Sequence, residues 1–246
     1  MTRKSSIALG LVGTLAVLAM GQDGNREVNP GITLTVEGSY LQESIDLMII
    51  RQQSRAESRE MKFHALKNIR TAIDQGSTGG EVLHALEYMA LEGTVNKTIY
   101  NNRIRNNYPD IRGKAAAYLG DLGSPEAYTI LLKMIQAEYE PMILTEVIKS
   151  LTKIGINHTD ETIRMITKRL KAFDVLVPDN LLALAALEAY ETFASTDGGT
   201  LDASTVQVIR RISEGRYHGA IRERARQLLT LLHTYSPAPR PEDLSE

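Results

Sequence analysis

The sequence predicts an all-α protein in which similar pairs of helices repeat along the chain. From residue 41 to about residue 232, apolar residues recur at helical spacing, and the short interruptions carry Gly, Pro or helix N-cap residues. One apolar pattern returns several times at unequal intervals. Only residues 32–36 alternate like a strand, and an isolated strand has no partner with which to pair. We therefore expect an array of helices.

Composition excludes several kinds of chemistry. The chain has 246 residues, which suits one large domain or two small ones, and 43% of them are hydrophobic, enough for a substantial core. It contains no Cys, so disulfides, thiolate nucleophiles, iron–sulfur clusters and Cys-based zinc sites are excluded. The 28 basic and 30 acidic residues give a net charge of −2, which gives no general case for binding nucleic acid or a membrane surface.

The N-terminal residues have the pattern of a cleavable signal peptide. Arg3 and Lys4 precede an uncharged apolar run over residues 7–20, and Ala19 and Gly21 place small residues at the −3 and −1 positions of a cleavage site. The alternatives are an uncleaved anchor and a buried helix. Cleavage leaves 26 basic against 30 acidic residues, a net charge of −4. We expect a periplasmic or secreted protein without stable membrane insertion, since no second apolar stretch is long enough to span.

The remaining chain divides by composition. We expect residues 1–21 to be the signal peptide, 22–40 a flexible leader, 41–234 the helical array and 235–246 a disordered Pro-rich tail. Within the array, residues 41–55 are predicted to form a capping helix, and residues 219–233 a final helix without a second helix to pair with. Atypical terminal helices are expected wherever a repeat array must cover its last apolar face.

An apolar ladder at positions i, i+4, i+8 and i+11 organises the array. These offsets fall on one face of a helix, so each ladder predicts a buried stripe, and a further amphipathic helix separates successive ladders. The ladder starts are spaced by 50, 32, 39 and 39 residues, which predicts an α-solenoid of about four to five helical hairpins. The ladders are Met61-Ala65-Ile69-Ala72, Ile111-Ala115-Leu119-Leu122, Ile143-Val147-Leu151-Ile154, Leu182-Ala186-Tyr190-Phe193 and Ile221-Ala225-Leu229-Leu232.

Residues 109–127 (PDIRGKAAAYLGDLGSPEA) resemble the bacterial HEAT-repeat consensus. That consensus has an Asp two residues before an Arg, then Ala, Leu-Gly and a Gly-Asp/Ser turn into a second helix. The similarity extends over roughly residues 57–234 but is specific only in the 109–138 unit; the next unit has Leu144 in place of the Arg. The resemblance implies that Asp110 and Arg112 are structural residues that tie one repeat to the next, with ligand binding as the alternative. It places Ala115 and Leu119 in the repeat core.

Two insertions interrupt the repeats. Residues 96–108 account for the long 50-residue spacing, and residues 195–199 form a smaller insertion. Loops that break a regular array often carry binding contacts. A tolerated surface insertion is the equally simple interpretation.

Catalytic motifs are missing from the sequence. It has no Gly-x-Ser-x-Gly elbow, no Gly-x4-Gly-Lys-Ser/Thr phosphate loop and no Gly-x-Gly-x-x-Gly turn. Glu81 and His84 have the i, i+3 spacing of carboxylate-bridged di-iron sites, but such sites need a second motif and further carboxylates. We predict no catalytic residue, no metal site and no cofactor.

Basic residues cluster on two of the predicted second helices. HEAT resemblance implies that second helices line the concave side, so these cations are predicted to form a basic stripe for an acidic partner. The alternative is an ordinary solvated face between the apolar positions. The predicted partner-binding residues are Arg164, Lys168, Lys171, Arg210 and Arg211, with Arg169 in the same cluster.

Two functional hypotheses follow. The first is a non-enzymatic protein-binding scaffold or assembly adaptor in the cell envelope, since a solenoid offers a long surface for many modest contacts. Its partner is then another protein, and the acidic balance and predicted export argue against nucleic acid. The alternative is an enzyme-associated HEAT-like protein, such as a cofactor chaperone or subunit of the bilin-lyase type, which only the family resemblance suggests.

Overall fold

The computed structural model describes residues 36–76, 79–174, 178–196 and 201–235. Over these ranges the chain is all-α, as the sequence predicts, with ten α-helices, one short 3₁₀ helix and one two-stranded β-hairpin. The predicted signal peptide, most of the predicted leader and residues 236–246 of the predicted tail lie outside these ranges. No helix in the described ranges is both long enough and apolar enough to cross a membrane.

Except between α3 and α4, the helices follow one another through short connections. A 3₁₀ helix (His158–Asp160) precedes α7, and the strands β1 (Ile99–Tyr100) and β2 (Arg103–Ile104) lie between α3 and α4. In chain order the helices are α1 (Val36–Arg55), α2 (Arg59–Asp74), α3 (Gly80–Leu91), α4 (Pro109–Leu122), α5 (Pro125–Ala137), α6 (Pro141–Ile154), α7 (Glu161–Asp174), α8 (Asn180–Thr196), α9 (Ala203–Glu214) and α10 (Gly219–Tyr235).

The first helix is longer than the sequence predicts. The expected boundary between the flexible leader and the capping helix is Leu41, but α1 already begins at Val36. The sequence from 36 to 40 is polar and contains a Gly, which favours a loop. It contains no Pro, however, and each residue that extends an existing helix adds one backbone hydrogen bond without a new nucleation cost.

The helices pack in two rows. In one row α2, α4, α6, α8 and α10 contact each other in succession, and in the other row α3, α5, α7 and α9 do the same. Along the chain the helices alternate between the rows as α2–α3, α4–α5, α6–α7 and α8–α9, followed by α10; the helices of the first three pairs contact each other directly. At the N-terminal end α1 packs against both helices of the first hairpin, and at the C-terminal end α10 packs against α8 and α9.

Local sequence signals determine where these helices begin and end. The side chains of Ser58, Ser124 and Asp202 cap the N-termini of α2, α5 and α9. Each accepts a hydrogen bond from the backbone N–H of the residue three positions later. At the C-termini of α4 and α6, Gly123 and Gly155 adopt left-handed backbone angles with φ of 65° and 74°, which only Gly adopts without strain. These Ser, Asp and Gly residues in the sequence thus mark where helices begin and end in the structure.

Small residues bring α4 and α6 close together. Ala115 and Leu119 of the α4 ladder are completely buried. A Cβ atom added to Gly120 would lie only 2.8 Å from Ser150 Oγ on α6, so a larger residue here would force the two helices apart. The apolar core runs continuously through the described array, with ladder residues from every hairpin.

Candidate functional site

Three of the predicted cations lie on one face of α7. Arg164, Lys168 and Lys171 are spaced at i, i+4 and i+7, so they project from the same side of the helix, which we call the basic face. Arg164 and Lys168 are exposed and Lys171 is half-buried. The opposite side of α7 is buried through Ile163, Ile166 and Leu170. The amphipathic period therefore explains why these cations share one surface.

The basic face borders a depression between α7 and the first turn of α9. Lys171 Nζ donates a 2.7 Å hydrogen bond to Ser204 Oγ, which joins the two helices at its floor. The amide groups at the start of α9 add positive potential, which the carboxylate of the N-cap residue Asp202 partly offsets. The depression has a volume of about 380 Å³ and is lined by Arg164, Thr167, Lys168, Lys171, Asp202 and Ser204.

The other cations of the predicted stripe point elsewhere. Arg169 follows Lys168 by one residue and is therefore rotated by about 100° around the helix. Its guanidinium donates a hydrogen bond to the backbone oxygen of Glu138 and lies 5.4 Å from the ring centre of Phe173. Arg210 and Arg211 are exposed near the end of α9 and do not line the depression. Of the five predicted partner-binding residues, the structure thus brings together the three on α7.

The repeat residues Asp110 and Arg112 make ion pairs between elements. Asp110, at the start of α4, pairs with Arg59 at the start of α2 and so joins consecutive hairpins. Arg112 is 2% exposed, and its guanidinium binds both carboxylate oxygens of Glu138 at 2.7 and 3.1 Å. Its Nη1 also donates to Asn107 Oδ1 at 2.8 Å and to the backbone oxygen of Glu92 at 3.4 Å. Both side chains are thus used in contacts within the fold.

Lys62 is a second buried cation, and it is not among the residues predicted from the sequence. Lys62 of α2 is completely buried, with its Nζ 2.8 Å from Glu92 Oε2 and 2.9 Å from the backbone oxygen of Ser54. Lys62 precedes Arg112 by 50 residues, the same spacing that separates their two apolar ladders. In both hairpins the fourth residue of the first helix pairs with the Glu that follows the second helix. The equal spacing is the signal that could have identified Lys62.

The insertion between α3 and α4 contains a β-hairpin that is not among the expectations from the sequence. Its strands pair antiparallel, with Ile99 opposite Ile104 and Tyr100 opposite Arg103. The two turn residues, both Asn, have positive φ angles of 49° and 59°. Two turn residues with positive φ are typical of a tight hairpin, and Asn tolerates that conformation better than most residues. The Asn-Asn pair between two β-prone dipeptides is therefore a readable turn signal.

Hydrogen bonds close the base of this insertion. The side-chain amide of Asn106 donates to the backbone oxygen of Asn96 at 2.9 Å and its Oδ1 accepts from the backbone N–H of Thr98 at 2.8 Å. The backbone N–H of Gly93 donates to the same Asn96 oxygen at 2.8 Å. A Cβ atom on Gly93 would lie 2.6 Å from the Asn106 backbone oxygen, so the chain passes too closely here for any other residue. The insertion is a built loop with a defined geometry.

A larger groove lies away from all predicted site residues. It has a volume of about 630 Å³, lies between α1 and α2, and brings Glu43 and Asp46 near Asn68 and Gln75.

Glu81 and His84 are the pair whose spacing resembles a di-iron motif. In the structure Glu81 Oε1 lies 3.8 Å from Arg51 Nη1. In the part of the chain that the structure describes, no three His, Asp or Glu residues are grouped in a way that could hold a metal ion.

Comparison with known proteins adds no family assignment. No model of a known protein family matches the sequence, and no curated protein matches it significantly. The class of protein is therefore defined by its fold: over the described ranges it is an all-α protein with two rows of helices and one inserted β-hairpin.

Proposed function

We propose that the chain is a HEAT-type, non-enzymatic scaffold that binds another protein, and that the basic face of α7 is where an acidic part of that protein docks. The proposal is carried by one observation, the depression that Arg164, Lys168 and Lys171 form with the first turn of α9. Three cationic side chains within two helical turns attract carboxylates, and their partial exposure leaves them accessible.

The chemistry of the depression favours a protein surface over a small substrate. Small-molecule sites are lined mainly by apolar and aromatic side chains with a few polar groups. Here the lining consists of charged and hydroxyl-bearing side chains only. A carboxylate on a partner protein would find charge-assisted hydrogen bonds from Arg164 and Lys168, while Lys171 stays bonded to Ser204.

We further propose that the protein works in the cell envelope after export. The support is the sequence pattern of residues 1–21, a positive start, an apolar run and small residues at a cleavage site. Cell fractionation followed by mass spectrometry of the purified protein tests this. An envelope or secreted protein that begins at Gln22 is expected, and a cytoplasmic protein that retains Met1 would contradict it.

Crosslinking in intact cells tests the binding surface. A photoreactive phenylalanine analogue replaces Gln207, an exposed residue on α9 near the depression, and crosslinked products are identified by mass spectrometry. The Arg164→Glu/Lys168→Glu variant is expected to lose at least about nine-tenths of one specific crosslinked product, because the two ion pairs become repulsive contacts. The matched control is Lys67→Glu/Lys149→Glu, which reverses two exposed cations on α2 and α6 and should keep the product.

Two results would overturn the proposal. Equal crosslinking in the variant and the control would remove the basic face from any binding role. A chromophore or metal that copurifies with the chain, detected by absorption spectroscopy or elemental analysis, would instead support the alternative of an enzyme-associated cofactor chaperone.

A further inference from the structure

The inserted β-hairpin exposes apolar side chains on a firmly held loop. Ile99, Tyr100 and Ile104 are 65%, 60% and 41% exposed. The hydrogen bonds of Asn106 at the base of the loop hold the hairpin in place. Exposed apolar side chains on a preorganised loop favour binding, since little conformational entropy is lost when a partner covers them. We call Ile99, Tyr100, Arg103, Ile104 and Arg105 the hairpin surface.

The charge of this loop has one sign. Residues 95–108 contain Lys97, Arg103 and Arg105 and no acidic residue. The Arg105 guanidinium lies 5.2 Å from the ring centre of Tyr100, and Lys97 Nζ lies 5.8 Å from that of Tyr139. The hairpin surface therefore combines apolar and aromatic side chains with guanidinium groups, which favours an acidic partner with its own apolar residues.

The backbone of β2 offers hydrogen-bonding groups to a further strand. The backbone N–H of Arg105 donates to the backbone oxygen of Thr98 at 2.9 Å, so residues 98 and 105 form a hydrogen-bonded pair. Hydrogen-bonded and non-hydrogen-bonded pairs alternate in an antiparallel ladder, so Ile99 and Ile104 are a non-hydrogen-bonded pair. Their N–H and C=O groups point away from each other. Within the described ranges the sheet has only two strands, so the outer edge of β2 has no third strand beside it.

We propose that the hairpin surface binds an extended acidic segment of a partner protein, which pairs with β2 as a third, antiparallel strand. One residue of the segment exchanges both backbone hydrogen bonds with Ile104, and its apolar side chain lies over that of Ile104. The residues on either side of it then face Arg103 and Arg105 on the other side of the sheet. The favoured segment has an acidic–apolar–acidic pattern, since opposite charges stabilise cross-strand pairs.

The shape of the hairpin favours a protein segment over an anionic membrane. A loop that enters a bilayer carries its apolar side chains at the tip, where they reach the acyl chains, because polar backbone groups are costly there. Here the tip is the polar pair Asn101 and Asn102, and the apolar pair Ile99 and Ile104 lies two residues behind it. The hairpin therefore presents an edge and two faces to a partner and no apolar tip.

Peptide display tests the sequence preference of the hairpin surface, whatever the identity of the partner. Random peptides displayed on phage are selected against the wild-type protein and against Arg103→Glu/Arg105→Glu, and bound sequences are compared. Selection by the wild type is expected to enrich an acidic–apolar–acidic pattern that the variant no longer enriches. The control Lys67→Glu/Lys149→Glu should give the wild-type pattern. Enrichment of the same sequences by wild type and hairpin variant, or of no acidic pattern, would overturn the proposal.

A chemically altered peptide tests the strand pairing. The best selected peptide is resynthesised with an N-methyl group on its central apolar residue, which removes one backbone donor and leaves the charges unchanged. Affinity is expected to fall by about tenfold, or about 1.4 kcal/mol. Undiminished binding would contradict the added strand. NMR of the complex should also show slower exchange of the Ile104 amide hydrogen, and unchanged exchange would count against pairing along β2.

Vesicle binding tests the alternative that the hairpin surface binds an anionic membrane. Phosphatidylglycerol–phosphatidylcholine vesicles are mixed with the wild type and with the Arg103→Glu/Arg105→Glu variant, and cosedimentation is measured. Weak and equal cosedimentation is expected, whereas strong binding that the variant loses would assign the hairpin to a membrane. Arg164 and Lys168 are intact in both proteins, so acidic sequences that bind the basic face of α7 are enriched by both, and only the sequences that the hairpin variant loses are assigned to the hairpin surface.

Discussion

The two halves of the array use different polar contacts to join their helices. In the N-terminal half the buried links are ionic, Lys62 with Glu92 and Arg112 with Glu138. The C-terminal half uses neutral hydroxyl groups: the Thr167 hydroxyl lies 2.9 Å from those of both Tyr190 and Thr205, and all three residues are buried. A similar repeat architecture is therefore built with charged contacts at one end and neutral contacts at the other.

The difference coincides with the position of the inserted loop. Arg112 contacts the backbone oxygen of Glu92 before the loop and the side chain of Asn107 near the end of the loop, while it binds Glu138 in its own hairpin. In the following hairpin the corresponding position is Leu144, which is fully buried, so stacking alone does not require the ion pair. Buried ion pairs contribute little net stability, because the loss of hydration offsets their attraction. The ionic contacts therefore join helices and hold the inserted loop, whereas the described hydroxyl contacts of Thr167 join α7 to α8 and α9.

Breaking the ionic link is expected to have the largest effect on stability. Arg112→Leu leaves the Glu138 carboxylate buried without its bidentate partner, which should lower the free energy of unfolding by about 3–5 kcal/mol. Urea unfolding followed by circular dichroism measures the loss. The double variant Arg112→Leu/Glu138→Gln should recover more than half of it, because the buried charge is gone and the amide oxygen still accepts from the Tyr139 N–H. A double variant no more stable than the single one would contradict this explanation.

The hydroxyl link is expected to be weaker. Thr167→Val keeps the shape of the side chain but removes the oxygen between Tyr190 and Thr205, which should cost about 1–3 kcal/mol. Thr152→Val is the matched control, since its hydroxyl donates a 2.8 Å hydrogen bond to the Ile148 backbone oxygen within its own helix. We expect the control to lose about 0.5 kcal/mol or less. Equal losses in both variants, measured by urea unfolding, would mean that the buried network adds nothing.

The hydroxyl half should also respond to alkaline pH. Burial raises the pKa of Tyr190 above its usual value, although the hydrogen bond with Thr167 opposes this. The unfolded chain loses this proton first, near pH 10, so stability falls as pH rises above that value, by up to about 1.4 kcal/mol per pH unit. Tyr190→Phe should remove this part of the fall between pH 9 and 11. Tyr100→Phe, at an exposed position, should not; identical pH profiles of the two variants would contradict the assignment.

The smallest effect is expected on the surface, where Asp121 of α4 pairs with Arg70 of α2 and Lys153 of α6. Partial burial raises the pKa of Asp121, but the hydrogen bonds from Lys153 and Arg70 outweigh it, so the net pKa is lowered. Asp121→Asn should cost about 0.5 kcal/mol at pH 7, because solvent screens exposed pairs. The folded-state pKa is the lower one, so this contribution is present above about pH 4 and lost as pH falls further. Urea unfolding at pH 7 and pH 3 tests it, and a difference that persists at pH 3 would contradict the mechanism.

The array and its core are predictable because they follow from the helical period. Ladder residues such as Ala115 and Leu119 recur at helical spacing, and their burial is the direct consequence of one apolar face. The same period places Arg164, Lys168 and Lys171 on one side of α7. Features that depend on a position within one helix can therefore be read from the sequence alone.

Features that depend on contacts between distant residues cannot be read in this way. Most lysines are exposed, and only the approach of Glu92, 30 residues further on, makes the burial of Lys62 possible. The helical period already rotates Arg169 off the basic face, but its hydrogen-bond acceptor, the backbone oxygen of Glu138 between α5 and α6, does not follow from that period. The β-hairpin is an intermediate case. Its Asn-Asn turn is visible in the sequence. The helical period on either side nevertheless favours the interpretation that the segment is an unstructured interruption of the helical repeats.

The closed base of the inserted loop has a consequence for how this molecule can be altered. The hydrogen bonds between Asn96, Thr98 and Asn106 complete the loop before the chain returns to α4, and Gly93 sets its close entry. The tip beyond Thr98 makes no contribution to the apolar core of the array. Segments between Thr98 and Arg105 can therefore be exchanged as a unit, so that new recognition sequences are grafted without redesigning the helices beneath them.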